Sequence, residues 1–288
     1  MAEYSKDFTP AEFQAVMISR EIEDGQVLFV GIGMPFFGGL LASVSNAPNI
    51  TIVSECGGVG AKPYRLILNA GDNSNCENTI CNMSLWRLFA DEQAGLIDLG
   101  IVGGAEVDKY GNVNSHGIFG DKEYPYFQAR LPGSGGANDI ASSANRTIIS
   151  MPLGKRRYAE NVNFITSPGH LEGGDSRRKA GLPGAGPTAI ISDCCIFRFD
   201  PVTKEAYLDA VKADMTIDEI RSQVSWDLKV APEVKIIEPP SVEEIAILRS
   251  LDPLKLFAGG IPDLTWESYM QYLESSYETY EKLYGSVV

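Results

Sequence analysis

The amino-acid sequence predicts an α/β fold, a mostly parallel open sheet flanked by helices, and two observations predict it. Short apolar runs rich in β-branched residues alternate with segments of helical periodicity, and several runs stop abruptly at glycine-rich turns. Alternation of that kind implies parallel strands joined by right-handed crossovers. The 288 residues suffice to bury about three quarters of the unfolded surface. They read as a single domain over 1–288, with a loop-rich excursion at about 166–188 and a C-terminal helix at about 264–284.

From the amino terminus, Thr9-Pro10-Ala11-Glu12 is a capping box with proline at the first helical position. Phe13, Val16, Met17 and Ile22 follow at helical spacing, so a helix is predicted to about Asp24-Gly25. Gln26 to Gly31 reads as a buried strand, and the turn Gly31 to Pro35 leads into a helix over Phe37 to Ala47. That turn lacks the third glycine of a dinucleotide fingerprint and the Gly-Lys-Ser/Thr ending of a phosphate loop. The next run, Ile50 to Val53, ends at Ser54-Glu55-Cys56 before Gly57 and Gly58. A carboxylate followed by glycines at a strand end sits at the mouth of a sheet, where open α/β folds bind ligands. On residue types alone, an ordinary strand-end carboxylate fits Glu55 as well.

Cys81 to Ala94 predicts a buried helix carrying Met83, Leu85, Trp86, Leu88 and Phe89, and Ile97 to Val102 returns as a strand. Asp108 to Asn114 is turn chemistry. Gly133-Ser134-Gly135-Gly136-Ala137-Asn138-Asp139 is dense enough in glycine for its N–H groups to converge on an anion, and a helix starting near Ala137 would add its positive end. A plain turn fits equally. Thr147 to Met151 is a strand, Lys155-Arg156-Arg157 a basic triplet that fits a solvated surface patch or a contact to an anionic ligand, Gly169 to Gly186 a long loop or excursion from the sheet, and Ala189 to Phe199 a strand with Cys194 and Cys195 as core or near-core fillers. Capping boxes at Thr216 to Glu219 and Ser241 to Glu244 each open a helix, and the tyrosines of Trp266 to Leu283 form a packing stripe.

A formal charge of −14 disfavours nucleic acid and anionic membrane surfaces as partners. No apolar run approaches the ~18 residues of a membrane helix, and no basic-then-apolar leader is present. Five cysteines, two of them adjacent, do not form an extracellular disulfide pattern, so a cytoplasmic location is expected. The two histidines, His116 and His170, lack ligand spacing, so no metal is expected, and imidazole chemistry has only those two candidates.

Four ordered motifs stand together: S-E-C-G at Ser54 to Gly57, G-G-A-E-V-D-K-Y-G-N-V-N at Gly103 to Asn114, G-S-G-G-A-N-D at Gly133 to Asp139 and T-S-P-G at Thr166 to Gly169. This order resembles the B (β) subunit of glutaconate-type family I coenzyme A transferases. The resemblance runs from about Ala11 to Asp252 and takes in F-D-P at Phe199 to Pro201 and W-D-L at Trp226 to Leu228. It implies the fold of those enzymes and a separate A (α) subunit, hence a hetero-oligomer. It places the covalent nucleophile at Glu55, flanked in the active site by Ser54, Cys56 and Gly57, and oxyanion or CoA contacts at Gly135, Gly136 and Ala137. Coenzyme A would be a substrate, exchanged between an acyl-CoA and a carboxylic acid, with no permanently bound cofactor.

The common family form has asparagine or another residue after the glutamate, where this chain has Cys56. Relatives include acyl-CoA hydrolases and decarboxylases, so those activities, and a non-catalytic scaffold subunit, stand as alternatives. A cysteine enzyme using Cys56 with His116 is disfavoured, because a neighbouring carboxylate opposes thiolate formation. A glutamate nucleophile, by contrast, needs no histidine: a carboxylate is ionised at neutral pH and attacks without a general base.

Overall fold

A computed structural model describes residues 3–258 and 265–285. The fold is α/β, an open sheet flanked by helices and built on parallel strands. The chain divides into two compact units, Met1–Leu88 with Pro239–Val288, and Phe89–Glu238.

In the first unit, α1 (Pro10–Arg20) opens with the predicted capping box: the Glu12 N–H donates to Thr9 Oγ1 at 3.1 Å and the Thr9 N–H to Glu12 Oε2 at 2.7 Å. The helix ends at Arg20 rather than near Gly25, and Gly25, at φ +82°, turns the chain into β1 (Val27–Val30). The following helix, α2 (Met34–Ser43), starts three residues before the predicted Phe37, because Pro35 serves in its first turn. Gly38 lets α2 approach α1, since a Cβ there would lie 2.6 Å from Ile18 Cγ2. β2 (Thr51–Val53) pairs in parallel with β1, Leu28 opposite Ile52. The chain then doubles back: β3 (Gly58–Val59) runs antiparallel to β2, and β4 (Cys81–Asn82) antiparallel to β3.

Between β3 and β4, Asp72 orders the loop. It accepts two bonds of 2.7 Å from the Arg65 guanidinium and one each from the Leu68 and Ser74 N–H groups. Burial opposes its charge, but these donors hold the carboxyl below the usual aspartate range.

The boundary between the units falls within α3 (Leu85–Gln93), which is not the buried helix its apolar content suggests. Leu88 and Glu92, one turn apart, are its buried residues, while Trp86 is 73% exposed and Leu85 is exposed too. Leu85, Leu88 and Phe89 share one side of the helix at i, i+3 and i+4, yet only Leu88 of the three is buried, so apolar content alone misleads.

In the second unit, β5 (Leu99–Val102) is followed by two small hairpins, β6 (Glu106–Val107) with β7 (Val113–Asn114), and β8 (Gly117–Ile118) with β9 (Ala129–Arg130). Next come α4 (Ala137–Ser143) and β10 (Arg146–Ser150), which pairs in parallel with β5. A one-turn helix, α5 (Ser176–Lys179), interrupts the glycine-rich loop before β11 (Pro187–Ile191), parallel to β10. The single strand expected over Ala189 to Phe199 is instead a hairpin of β11 with β12 (Cys195–Phe199). Ser192 makes the reversal: its Oγ accepts from the Cys194 and Cys195 N–H groups. Cys195 is fully buried, as a core filler should be. β13 (Ala206–Val211) continues antiparallel to β12, α6 (Ile217–Ser222) opens on its capping box, and β14 (Lys229–Ile236) pairs in parallel with β13.

The chain then returns to the first unit. α7 (Val242–Leu251) opens on the Ser241–Glu244 box, and its Arg249 donates to the buried Glu12 at 2.8 Å. α8 (Trp266–Tyr284) turns Tyr272 and Tyr280 inward, and the Tyr272 hydroxyl accepts from the buried Leu66 N–H at 2.9 Å. Residue 264, where the sequence sets the start of the last helix, lies outside the described residues. Among the described residues no helix is long and apolar enough to cross a membrane.

Candidate active site

Glu55 stands on a tight turn of the first unit, between β2 and β3. The Ser54 N–H donates to the Gly58 carbonyl at 3.1 Å and the Gly57 N–H to the Ser54 carbonyl at 2.9 Å, so Glu55 and Cys56 occupy the two central positions. The turn is held from both sides. Gly57, at φ +99°, has no room for a Cβ, which would collide with the Met83 carbonyl, and a Cβ on Gly58 would collide with the Asn75 carbonyl. Glu55 is half-buried and Ser54 buried. Strand β2 therefore ends as the sequence indicates, and the chain returns through a hairpin to β3. All four residues of S-E-C-G lie on this one turn.

Cys56 points its sulfur back along the turn, 3.5 Å from Ser54 Oγ and 3.9 Å from Cys76 Sγ. Cys76 closes the 3-10 turn Asn73–Cys76; burial, with the Cys56 sulfur adding, raises its thiol above the ordinary cysteine value. His116, the other half of the disfavoured cysteine–histidine alternative, is engaged with aromatic rings, stacked at 4.6 Å on Phe164 and tilted against Phe127.

The glycine cluster belongs to the second unit, and α4 begins at Ala137 with Gly136 as its N-cap. Gly135 takes a left-handed φ of +48°, whereas Gly136 has an ordinary φ of −78°. The Ala137 N–H donates to the Ser134 carbonyl at 3.0 Å and so is already used within the loop. The loop is anchored at both ends. The Gly133 N–H donates to the Ser115 carbonyl at 2.9 Å, and Asn138 Nδ2 donates to the Thr166 carbonyl at 2.6 Å.

Beneath it, the motifs at 103–114 and 166–169 interlock. The Ser115 N–H donates to Thr166 Oγ1 at 2.9 Å, and Asn112 Oδ1 accepts from the Gly169 and Leu171 N–H groups. Glu106, buried, accepts from Asn114 Nδ2 and from both the backbone and the side chain of Asn163. The sequence marks most of these residues only as motif or turn positions, with no part in holding the glycine cluster. Their task is to fix the loop that bears Gly135 and Gly136, and the amide side chains within the motifs were the available signal.

The long loop after Gly169 is also fastened from within. Arg177 is 5% exposed and spends its terminal nitrogens on the carbonyls of Pro168, Gly169, Ala141, Ser142 and Pro183. Its burial depresses the guanidinium to about 10. On α3, Glu92 is fully buried, and neither carboxylate oxygen has a hydrogen-bond partner among the described residues. Burial, with the charge of Asp139 on α4 adding, pushes its carboxyl up to about 8. The basic triplet Lys155-Arg156-Arg157 is exposed at the surface.

Chemically, the turn offers a carboxylate on a backbone held by Gly57 and Gly58, and the loop leads into a helix start at Ala137. The chain matches the family model described as coenzyme A transferase over residues 11–223. It is 36% identical over 254 residues to the B subunit of 3-oxoadipate CoA-transferase from Pseudomonas knackmussii, covering 88% of this chain and 96% of that one. It is also similar to glutaconate CoA-transferase of Acidaminococcus fermentans. The B subunit of that enzyme is 35% identical over 89% of this chain and 97% of its own length. The crystal structure of the enzyme matches with a TM-score of 0.82 at 33% identity, over 90% of this chain and 100% of that chain. A decarboxylase, AibA/AibB, shares the fold at 21% identity, with a TM-score of 0.74 over 88% of this chain and 100% of that chain. With a family model spanning most of its length and relatives above one-third identity, the chain belongs to the coenzyme A transferase family.

Proposed function

We propose that this chain is the B subunit of a two-subunit, cytoplasmic CoA-transferase of the glutaconate type that moves CoA between an acyl-CoA and a dicarboxylic acid through a glutamyl-CoA thioester on Glu55. The reading is supported by the relatives of about 35% identity, both of them B subunits and both named for dicarboxylates. The observation that carries it is the placement of Glu55 at the centre of a turn locked by Gly57 and Gly58, since a nucleophile must be held in an attack geometry.

The steps follow from the chemistry of a carboxylate. Glu55 attacks the thioester carbonyl of the acyl-CoA, and the CoA thiolate leaves, giving a mixed anhydride. The thiolate then attacks the glutamyl carbonyl and releases the donor acid as its carboxylate. The incoming acid runs the two steps in reverse, so neither ATP nor metal takes part. Each addition develops an oxyanion, for which the N–H groups of Gly135 and Gly136 are the assigned donors. Ala137, next along the chain, would act with them in oxyanion or CoA contact. Ser54 and Cys56 complete the surroundings of Glu55. Decarboxylation is the activity of a relative that shares only the fold, and a retained glutamate on this turn favours transfer.

The test is Glu55→Gln, assayed with the A subunit present. The amide keeps the shape and loses the nucleophile, so transfer should fall by about a thousandfold or more while the melting temperature holds. Turnover like that of the unaltered protein would sink the assignment.

A further inference from the structure

We propose that Cys56 and Cys76 form a thiol–disulfide exchange site beside Glu55, which a small-molecule disulfide of coenzyme A oxidises to an intramolecular disulfide. The identity of the oxidant rests on the reading of Glu55 as the CoA acceptor; the pairing of the two thiols does not.

The pair is built by the fold. Cys56 Sγ lies 3.9 Å from Cys76 Sγ, and Cys76 Sγ lies 4.0 Å from the Cys56 carbonyl oxygen, so the second sulfur sits over the backbone of the first. Both thiols are free and both are half-buried, within reach of a ligand. A disulfide needs a separation of about 2.05 Å, and closing the remaining gap of roughly 2 Å is within the swing of two cysteine side chains about χ1. The backbones on either side are pressed together, because Gly58, two residues after Cys56, packs on the carbonyl of Asn75, the residue before Cys76. Proximity of the sulfurs is therefore maintained without a bond between them. Ser54 Oγ, 3.5 Å from Cys56 Sγ, can turn its hydroxyl proton toward a thiolate there.

Transfer at Glu55 brings the thiol end of CoA to the residue next to Cys56, and the same recognition delivers the disulfide of CoA. Cys56 loses its proton to solvent and attacks one sulfur of that disulfide. The S–S bond breaks, one CoA thiolate departs with the electron pair, and Cys56 is left as a mixed disulfide. Cys76, half-buried and harder to ionise, acts second: it loses its proton to solvent, and its thiolate attacks Cys56 Sγ and expels the second CoA thiolate. Two cysteine thiols are oxidised and one disulfide is reduced to two thiols. The new bond draws Cys56 from Ser54 and ties the Glu55 turn to the 3-10 turn, which should stop transfer.

The experiment treats the full chain, alone and with its A subunit, with CoA disulfide or glutathione disulfide, then maps peptides and assays transfer. The expected result is a Cys56–Cys76 cross-linked peptide with two thiols released per chain. Transfer should fall by about tenfold or more and return with a dithiol reductant, and CoA disulfide should act faster than glutathione disulfide. In Cys76→Ser the resolving thiol is gone, so basal transfer persists before oxidation and a CoA-sized adduct stays on Cys56. Absence of the cross-link, or a cross-link through the exposed Cys81 instead, overturns the site. Equal rates with both disulfides overturn delivery by the CoA site. A cross-link in a protein that never shows transfer leaves the dithiol standing and defeats the reading of Glu55.

Discussion

Met83 and Gly57 meet so closely that no side chain fits between them. The Met83 N–H donates to the Gly57 carbonyl at 2.9 Å, while the Met83 carbonyl fills the space that a Cβ on Gly57 would need. Gly57 also has a φ of +99°, which residues with a side chain rarely adopt. Gly57→Ala should therefore lose about 1–3 kcal/mol of stability and most of the turnover, because the turn that presents Glu55 has to shift. Thermal unfolding and steady-state transfer check both; unchanged turnover would show that the turn does not position the carboxylate.

Gly136 gives the opposite expectation. Its φ of −78° suits any residue, so Gly136→Val imposes no left-handed strain. If the backbone at Gly135 and Gly136 stabilises an oxyanion, the added side chain blocks the approach of the ligand. Turnover should then drop about a hundredfold with little change in melting temperature. Equal losses of stability and activity would make the cluster a structural turn.

Glu92 makes stability depend on pH with a definite sign. Burial, reinforced by Asp139, raises its folded-state value to about 8, well above the ordinary glutamate range. A raised acid binds its proton more tightly in the folded state. The contribution is therefore whole below the unfolded value of about 4.3, and it is lost as pH climbs through about 8. Glu92→Gln removes that titration. The variant's melting temperature should gain on that of the unaltered protein by roughly 5 °C or more between pH 5 and pH 9. A difference independent of pH would mean that Glu92 is ionised across that range in the folded protein as in the unfolded chain, and so is not raised.

The α/β class and the place where β2 stops could be read from short β-branched runs and glycines, because those patterns are local. The three capping boxes at Thr9, Thr216 and Ser241 were legible for the same reason. What closes the turn at Glu55 was not, since Met83 and Asn75 reach it only through tertiary packing. The hairpin at Ser192 hid inside an apolar run whose one serine–aspartate step carries the reversal. Arg177 sits among Arg178 and Lys179 in a stretch that reads as solvated loop, and only the carbonyls converging on it distinguish the buried cation from its exposed neighbours. Glu92 looked like one more charge on a helix, because periodicity places a residue on a face without telling what that face meets.

Covalent capture of CoA on Glu55 distinguishes transfer from hydrolysis most directly. The measurement is the intact mass of the chain, with its A subunit present, after incubation with acyl-CoA and no acceptor acid. A covalent glutamyl-CoA thioester should appear as a CoA-sized increase mapped by peptide analysis to Glu55, absent in Glu55→Gln, with borohydride inactivating the protein only after exposure to acyl-CoA. An unmodified Glu55 together with one free CoA released per acyl-CoA consumed, independent of any acceptor, would contradict it and make the protein a hydrolase.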